Sequence, residues 1–98
     1  MTVHWTDTAL GHLDAIHAFI ALDSPAYATG LVDRLTRRSQ QIGLFPLSGR
    51  RVPEYALDAV REVIEGAYRI IYAIKGEQID VLGVVHGARD IREANLEL

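Results

Sequence analysis

The sequence predicts an α+β domain in which an N-terminal strand and an α-helical hairpin pack on a small antiparallel β-sheet, in the order β-α-α-β-β-β. Three observations carry this expectation. Apolar residues recur at helical spacing up to about residue 44, they become dense and β-branched from residue 60, and a stretch punctuated by Pro46, Gly49 and Pro53 separates the two regimes. With 98 residues the chain has room for one core, so a single domain over 1–98 is expected.

Taken in order, residues 2–6 alternate Val3 and Trp5 with polar neighbours and read as a short strand. Asp7 and Thr8 supply helix-start chemistry. Leu10, Leu13, Ile16 or His17, and Ile20 then recur at helical spacing, with Phe19 widening the stripe, which predicts a helix over about 7–22. Asp23-Ser24-Pro25 restarts the chain, because an Asp or Ser side chain caps free amides and proline suits the first helical position. The second helix carries Tyr27 or Ala28, Leu31, Leu35 and Ile42 on one face and Arg34, Arg37, Arg38 and Gln41 largely on another, ending near Gly43 or Leu44. So short a link implies an antiparallel hairpin. Residues 45–59 read as a loop exposing Arg50 and Arg51. Residues 60–65 and 68–74 read as strands across a tight Gly66-Ala67 turn, and 79–86 as a third strand after Lys75-Gly76-Glu77. The charged tail from Gly87 ends in a short helix or frays.

Composition narrows the function classes. Hydrophobic residues make up 49% and charged residues 23%, which excludes a disordered tail or linker. The chain has no cysteine, which removes disulfides, thiolate metal sites and a thiol nucleophile together and suits a reducing cytoplasm. The N-terminus shows neither the basic start nor the apolar run of a signal peptide, and no apolar stretch nears membrane-spanning length, so a cytoplasmic protein without a membrane partner is expected. The net charge is −3, and nine of the ten cations are Arg. Residues 1–33 hold four Asp and no cation, whereas 34–51 hold five Arg and no anion. An acidic chain with a local Arg stripe is not an indiscriminate nucleic-acid binder.

Few residues form a chemical constellation. His12 and His17 lie five positions apart on the first helix and point about 140° away from each other, so they cannot share an ion as an i, i+4 pair can. Asp14 with His17 is an incomplete ligand set, and no metal site is expected. No Gly-rich phosphate loop and no Gly-x-Ser-x-Gly elbow is present. Arg61, Arg69, His86 and Arg89 fall on or just past adjacent strands, with Glu54 in the loop leading in. Strand alternation puts Leu82, Val84 and His86 on one face. Were Arg69 and His86 to share a face, an imidazole and a guanidinium would converge as in phosphodiester cleavage, where His moves protons and Arg stabilises the pentacoordinate phosphate. The alternative, which spacing favours, is that Arg61 and Arg69 pair with Glu62, Glu65 or Asp80 while His86 ends a strand.

Four pieces in sequence carry a family resemblance: Phe45-Pro46 with Gly49-Arg50, Arg61-Glu62-Val63-Ile64, Tyr68-Arg69-Ile70-Ile71-Tyr72, and Ile79-Asp80-Val81-Leu82 continuing through Val84, His86-Gly87 and Arg89-Asp90. Together with Asp23-Ser24-Pro25 and Ala28, they resemble the RelE/ParE superfamily of toxins from bacterial type II toxin–antitoxin modules over about residues 2–92. The closing run from Val84 to Asp90 is most similar to the ParE branch. That resemblance implies a helical hairpin on an antiparallel sheet, no cofactor, and a toxin that poisons DNA gyrase through protein–protein contact. In that branch His86 and Arg89 would be structural or contact residues. The RelE-like branch implies instead an endoribonuclease that cuts messenger RNA on the ribosome. It commonly relies on several Lys and Arg residues and often a C-terminal Tyr, whereas this chain has only Lys75 and no Tyr after Tyr72. A related ribonuclease branch would match Glu54, Arg69 and His86 as catalytic residues. Either branch implies a cognate antitoxin and a toxin–antitoxin hetero-oligomer. Arg34, Arg37, Arg38, Arg61 and Arg89 are the expected contacts to antitoxin or target, a merely solvated helix face being the alternative for the first three.

Overall fold

Thr6 marks where the first strand stops and the first helix starts. In the computed structural model, which describes residues 1–96, strand β1 spans Thr2–Trp5 and helix α1 spans Asp7–Ala21. The Thr6 hydroxyl accepts from the Ala9 amide at 3.1 Å and donates to the Val81 carbonyl at 2.9 Å, tying the helix start to the sheet. The cap thus lies one residue before the Asp7–Thr8 pair that the sequence suggests, and Asp7 places negative charge in the first turn, where the helix dipole favours it. Ser24 caps helix α2 (Pro25–Leu44) by accepting from the Tyr27 amide at 3.2 Å, with Pro25 in the first turn. The apolar stripe of α2 behaves as its spacing predicts: Ala28, Leu31, Leu35 and Ile42 are buried, and Tyr27 is exposed. With Ala9, Leu13, Ile16 and Ile20 of α1 behind it, this stripe meets Val63, Ile70, Tyr72, Val81 and Val84 of the sheet in the first of two cores.

The sheet has five strands in the order β1-β5-β4-β3-β2, where β2 is Arg50–Arg51, β3 Val60–Glu65, β4 Tyr68–Lys75 and β5 Gln78–His86. The α+β class and the helical hairpin on a sheet stand as predicted, with three refinements. First, β1 runs parallel to β5, Thr2 opposite Gln78 and Trp5 opposite Val81, so the sheet is mixed rather than antiparallel. Second, the 45–59 loop contributes the extra strand β2, paired with Arg61 and Glu62 of β3. Gly49 makes that approach possible: a Cβ there would lie 2.6 Å from the Glu62 carbonyl oxygen and 2.5 Å from the Tyr72 hydroxyl. The Tyr72 hydroxyl accepts from the Gly49 amide at 3.0 Å and donates to the Pro46 carbonyl at 2.6 Å, so one buried phenol holds the loop entrance.

Third, a β-bulge interrupts β5. Ile71 of β4 lies opposite Gly83, but Tyr72 lies opposite Val81, leaving Leu82 as the extra residue. Side-chain alternation restarts there. Leu82 packs on the face away from the helices and Val84 on the helix face, so the expected common face for Leu82, Val84 and His86 is not formed.

The face away from the helices carries the second core. Val60, Ile71, Ala73, Leu82 and Val85 are covered by Val52 and Tyr55 of the 52–59 loop and by Ile91 and Ala94 of a 3-10 turn at Ile91–Ala94. No described helix is long and apolar enough to cross a membrane.

Candidate functional site

Arg69 projects from the middle of the second core. It lies opposite Val85 on β5 and is 5% exposed. Glu62, on the adjacent strand β3 and itself buried, accepts from Nε at 2.8 Å and pairs with a terminal nitrogen at 2.5 Å. Glu54, at the start of the covering loop, takes the guanidinium fork with both oxygens, at 2.9 and 2.8 Å. The Arg89 carbonyl accepts the remaining contact at 3.1 Å. A guanidinium has five N–H donors, of which four make these hydrogen bonds, and the second contact to Glu62 is an ion pair. Glu54 also accepts from the Ile91 amide at 3.1 Å, and Arg50 reaches Glu62 from the surface at 2.6 Å. One charge cluster therefore binds β3, β4, the 52–59 loop and the tail.

The titration of Glu54 follows from that bonding. Hydrogen bonds from Arg69, reinforced by the Ile91 amide, hold the Glu54 carboxyl at about 2 despite its partial burial. The two carboxylates correspondingly hold Arg69 above the usual guanidinium value, against the opposing effect of desolvation. A carboxylate this acidic and fully engaged is a poor general base, since such a base works best near the ambient pH.

His86 does not join this cluster. It lies opposite Tyr68, whose ring packs towards the helix-side core, and it meets that ring edge-on with centroids 6.0 Å apart. Its exposed imidazole Nδ1 accepts from the Ala88 amide at 3.3 Å. The structure thus brings Glu54 and Arg69 together and places His86 on the other face of the sheet. The convergent Arg69–His86 corner is absent because the bulge at Leu82 fixes which side of β5 the last residues occupy. Arg61 is likewise engaged, donating to the Asp58 carbonyl at 3.0 Å and the Gly49 carbonyl at 2.9 Å, while exposed Arg89 donates to the Glu93 carbonyl at 3.1 Å.

The arginines of α2 are arranged differently. Arg34, Arg37, Arg38 and Gln41 line a surface groove of about 210 Å³, with Glu65 from the end of β3 on its far wall. Arg34 sits over the Tyr27 ring at 5.5 Å, Arg37 donates to the Asp33 carbonyl, and Arg38 donates to the Gln41 side-chain oxygen. Among the described residues none of these three guanidinium groups reaches a carboxylate.

A family model described as the ParE toxin of the type II toxin-antitoxin system, parDE, matches residues 3–91. The chain belongs to the ParE toxin family. Among solved structures, the chromosomal ParDE TA system from P. aeruginosa is similar, with a TM-score of 0.73 at 24% identity, over 88% of this chain and 95% of that one. At this identity the likeness is one of fold. A search of the curated proteins found no match.

Within this ParE-family toxin, sequence reasoning passed over one further polar residue. His12, weighed only as a metal ligand, accepts the Val84 amide on Nδ1 at 3.2 Å. Among the described residues no group of three or more His, Cys, Asp or Glu could hold an ion. Burial, and secondarily the charge of Arg89, lower the His12 pKa and favour the neutral ring that an accepting Nδ1 requires. Gly83 admits the imidazole, since a Cβ there would stand 3.0 Å from two of its ring atoms. The signal lay in Gly83 itself, an interior strand glycine of the kind that marks a bulge or a close approach.

Proposed function

We propose that this ParE-family toxin acts by binding and poisoning DNA gyrase through protein contact, and that a cognate antitoxin neutralises it by binding the toxin. One observation carries the choice of contact over RNA cleavage. Arg69, the residue best placed to stabilise a cleaved phosphate, is buried with its guanidinium engaged by Glu54, Glu62 and the Arg89 carbonyl. With His86 on the opposite face, no acid–base pair faces a common reacting atom. The single Lys and the net charge of −3 agree with a protein target rather than a phosphate-dense one.

Inducing the toxin without antitoxin tests this reading. Gyrase-dependent double-strand breaks and an SOS response are expected, with bulk messenger RNA intact. His86→Ala is the informative variant, because His86 is exposed and its loss leaves the core untouched. It should retain full toxicity. Rapid translation-dependent message cleavage that His86→Ala abolishes would establish the endoribonuclease mechanism instead.

A further inference from the structure

We infer that the groove beside α2 binds a small phosphate-bearing molecule, held through a phosphate or diphosphate group by Arg34, Arg37, Arg38 and Gln41. Elsewhere the arginines are already engaged. Arg50, Arg51, Arg69 and Arg92 each meet a carboxylate, and Arg61 and Arg89 are held by backbone carbonyls. Arg34, Arg37 and Arg38 instead line one groove, and none of them pairs with a carboxylate among the described residues. Each is steadied by a contact that takes few of its donors. Arg34 sits over the Tyr27 ring, a cation–π contact that uses no N–H group. Arg37 donates through Nε to the Asp33 carbonyl, and Arg38 through one terminal nitrogen to the Gln41 oxygen. These contacts orient the side chains and leave most of their N–H groups for a ligand. Because the Gln41 oxygen already accepts from Arg38, its amide nitrogen adds two further donors.

A wall of donors selects an anion rich in acceptors. An arginine fork fits a carboxylate and a phosphate alike, so the number of oxygens decides between them. A carboxylate has two and is filled by one or two forks. A terminal phosphate has three and a diphosphate has more, enough to engage three guanidinium groups and an amide together. Charge agrees with this choice. The three guanidinium groups face one carboxylate, Glu65, which leaves a local charge of +2. A phosphate monoester carries about two negative charges at neutral pH and matches it.

Size and range set the rest. At about 210 Å³ the groove is smaller than the roughly 300–1,000 Å³ of a site for a drug-sized ligand. It encloses one or two phosphate groups and leaves the remainder of a larger ligand in solvent. The net charge of −3 does not oppose such binding, because at physiological salt a field is screened over about 8 Å and the nearest charges dominate. A nucleic-acid strand fits less well, since its phosphates continue past Glu65 and Asp33 onto an acidic protein.

Titration calorimetry of the toxin alone, in metal-free buffer at fixed ionic strength, tests the site with pyrophosphate, ADP and succinate. Pyrophosphate is expected to bind, and succinate about tenfold more weakly or not at all. Equal affinity for pyrophosphate and ADP supports a groove that reads the diphosphate group by itself; tighter binding of ADP supports it with a nucleotide as the source of that group. Arg34→Ala/Arg37→Ala/Arg38→Ala should weaken pyrophosphate binding by about tenfold or more. The corresponding triple replacement by Lys keeps the charge, loses the forks, and should still bind several-fold more weakly than wild type. Glu65→Gln should tighten binding a few-fold by removing a like charge. The unliganded variants should melt with wild type, so that lost binding is not lost fold. Absence of pyrophosphate binding to the wild type overturns the site. So does a triple alanine variant that binds within twofold of wild type, or succinate binding as tight as that of pyrophosphate. A single-stranded RNA probe that pyrophosphate fails to displace, and whose binding the triple alanine variant loses, overturns it in favour of a nucleic-acid surface.

Discussion

The two faces of the sheet are closed by different means. On one, α1 and α2 lay apolar stripes over Val63, Ile70, Tyr72 and Val84, and Tyr72 keeps its phenol at the rim, tied to Gly49 and Pro46. On the other, a loop and a tail with little regular structure cover Ile71, Leu82 and Val85, and a buried arginine between two glutamates sits among them. The difference has a physical origin. A helix satisfies most of its own backbone groups, so apolar contact suffices to dock it. The 52–59 loop and the tail do not, and their backbone groups need outside partners. Glu54 accepting from the Ile91 amide, and Arg69 donating to the Arg89 carbonyl, are such partners. The charge cluster is thus the means by which irregular chain is held on a sheet.

Breaking the cluster should have the largest effect. Arg69→Ala leaves the fully buried Glu62 carboxylate with Arg50 alone and frees Glu54, which should destabilise the fold by about 3 kcal/mol in urea denaturation. Loss of toxicity in this variant would therefore report unfolding rather than catalysis. The helix face offers the matched comparison. Leu35→Ala, at a fully buried position, should cost about 2–5 kcal/mol as a cavity. Because no charge is involved, that cost should be the same in acid as at neutrality, and a marked pH dependence would contradict the separation of the two faces.

The acid limb sharpens the contrast further. Glu54 titrates at about 2 in the fold against an ordinary value of 4.5. A depressed carboxylate contributes stability that is fully present above the unfolded value and is lost as pH falls through the folded one. The stability gap between wild type and Glu54→Gln should therefore be constant above pH 4.5 and close between 4.5 and about 2. Asp80 and Asp90 are also held low by their partners, so wild type alone would show a composite decline; the difference isolates Glu54. A gap that persists at the lowest pH would mean that shape rather than charge holds the loop.

This contrast also explains what was legible in the sequence. Helical spacing, the Ser24-Pro25 restart and the β-branched runs after residue 60 are local signals, and the helix-side architecture follows from them. The parallel pairing of β1 with β5 joins residues 76 positions apart, and no local pattern carries it. The strand at Arg50–Arg51 is two residues long inside a Pro- and Gly-rich stretch, and it exists because Gly49 lets the chain lie against Glu62. Glu54, Arg69 and His86 all stand out as chemistry-bearing residues. Which of them meet depends on one extra residue at Leu82, and a bulge reverses every inward–outward assignment beyond it.

The bulge leads to the smallest and most local of these effects. β1 ends at Trp5, opposite Val81, so beyond that point β5 lacks a strand on that side and Val84 finds its acceptor in His12 of α1. Here, as at Thr6 and Tyr72, the helix face uses the side-chain-to-backbone device on which the other face relies. His12→Ala should cost about 1 kcal/mol, since the half-exposed site lets water partly replace the lost acceptor, and exchange of the Val84 amide proton should accelerate. The pH dependence has a definite sign. Burial lowers the folded pKa of His12 below its ordinary 6.5, so the neutral, accepting ring is the form that the fold favours. Its contribution is complete above pH 6.5 and declines as pH falls through the folded value. Wild type and His12→Ala should accordingly converge in stability as pH falls below 6.5. A gap between them that stays constant as pH falls would leave His12 a packing residue.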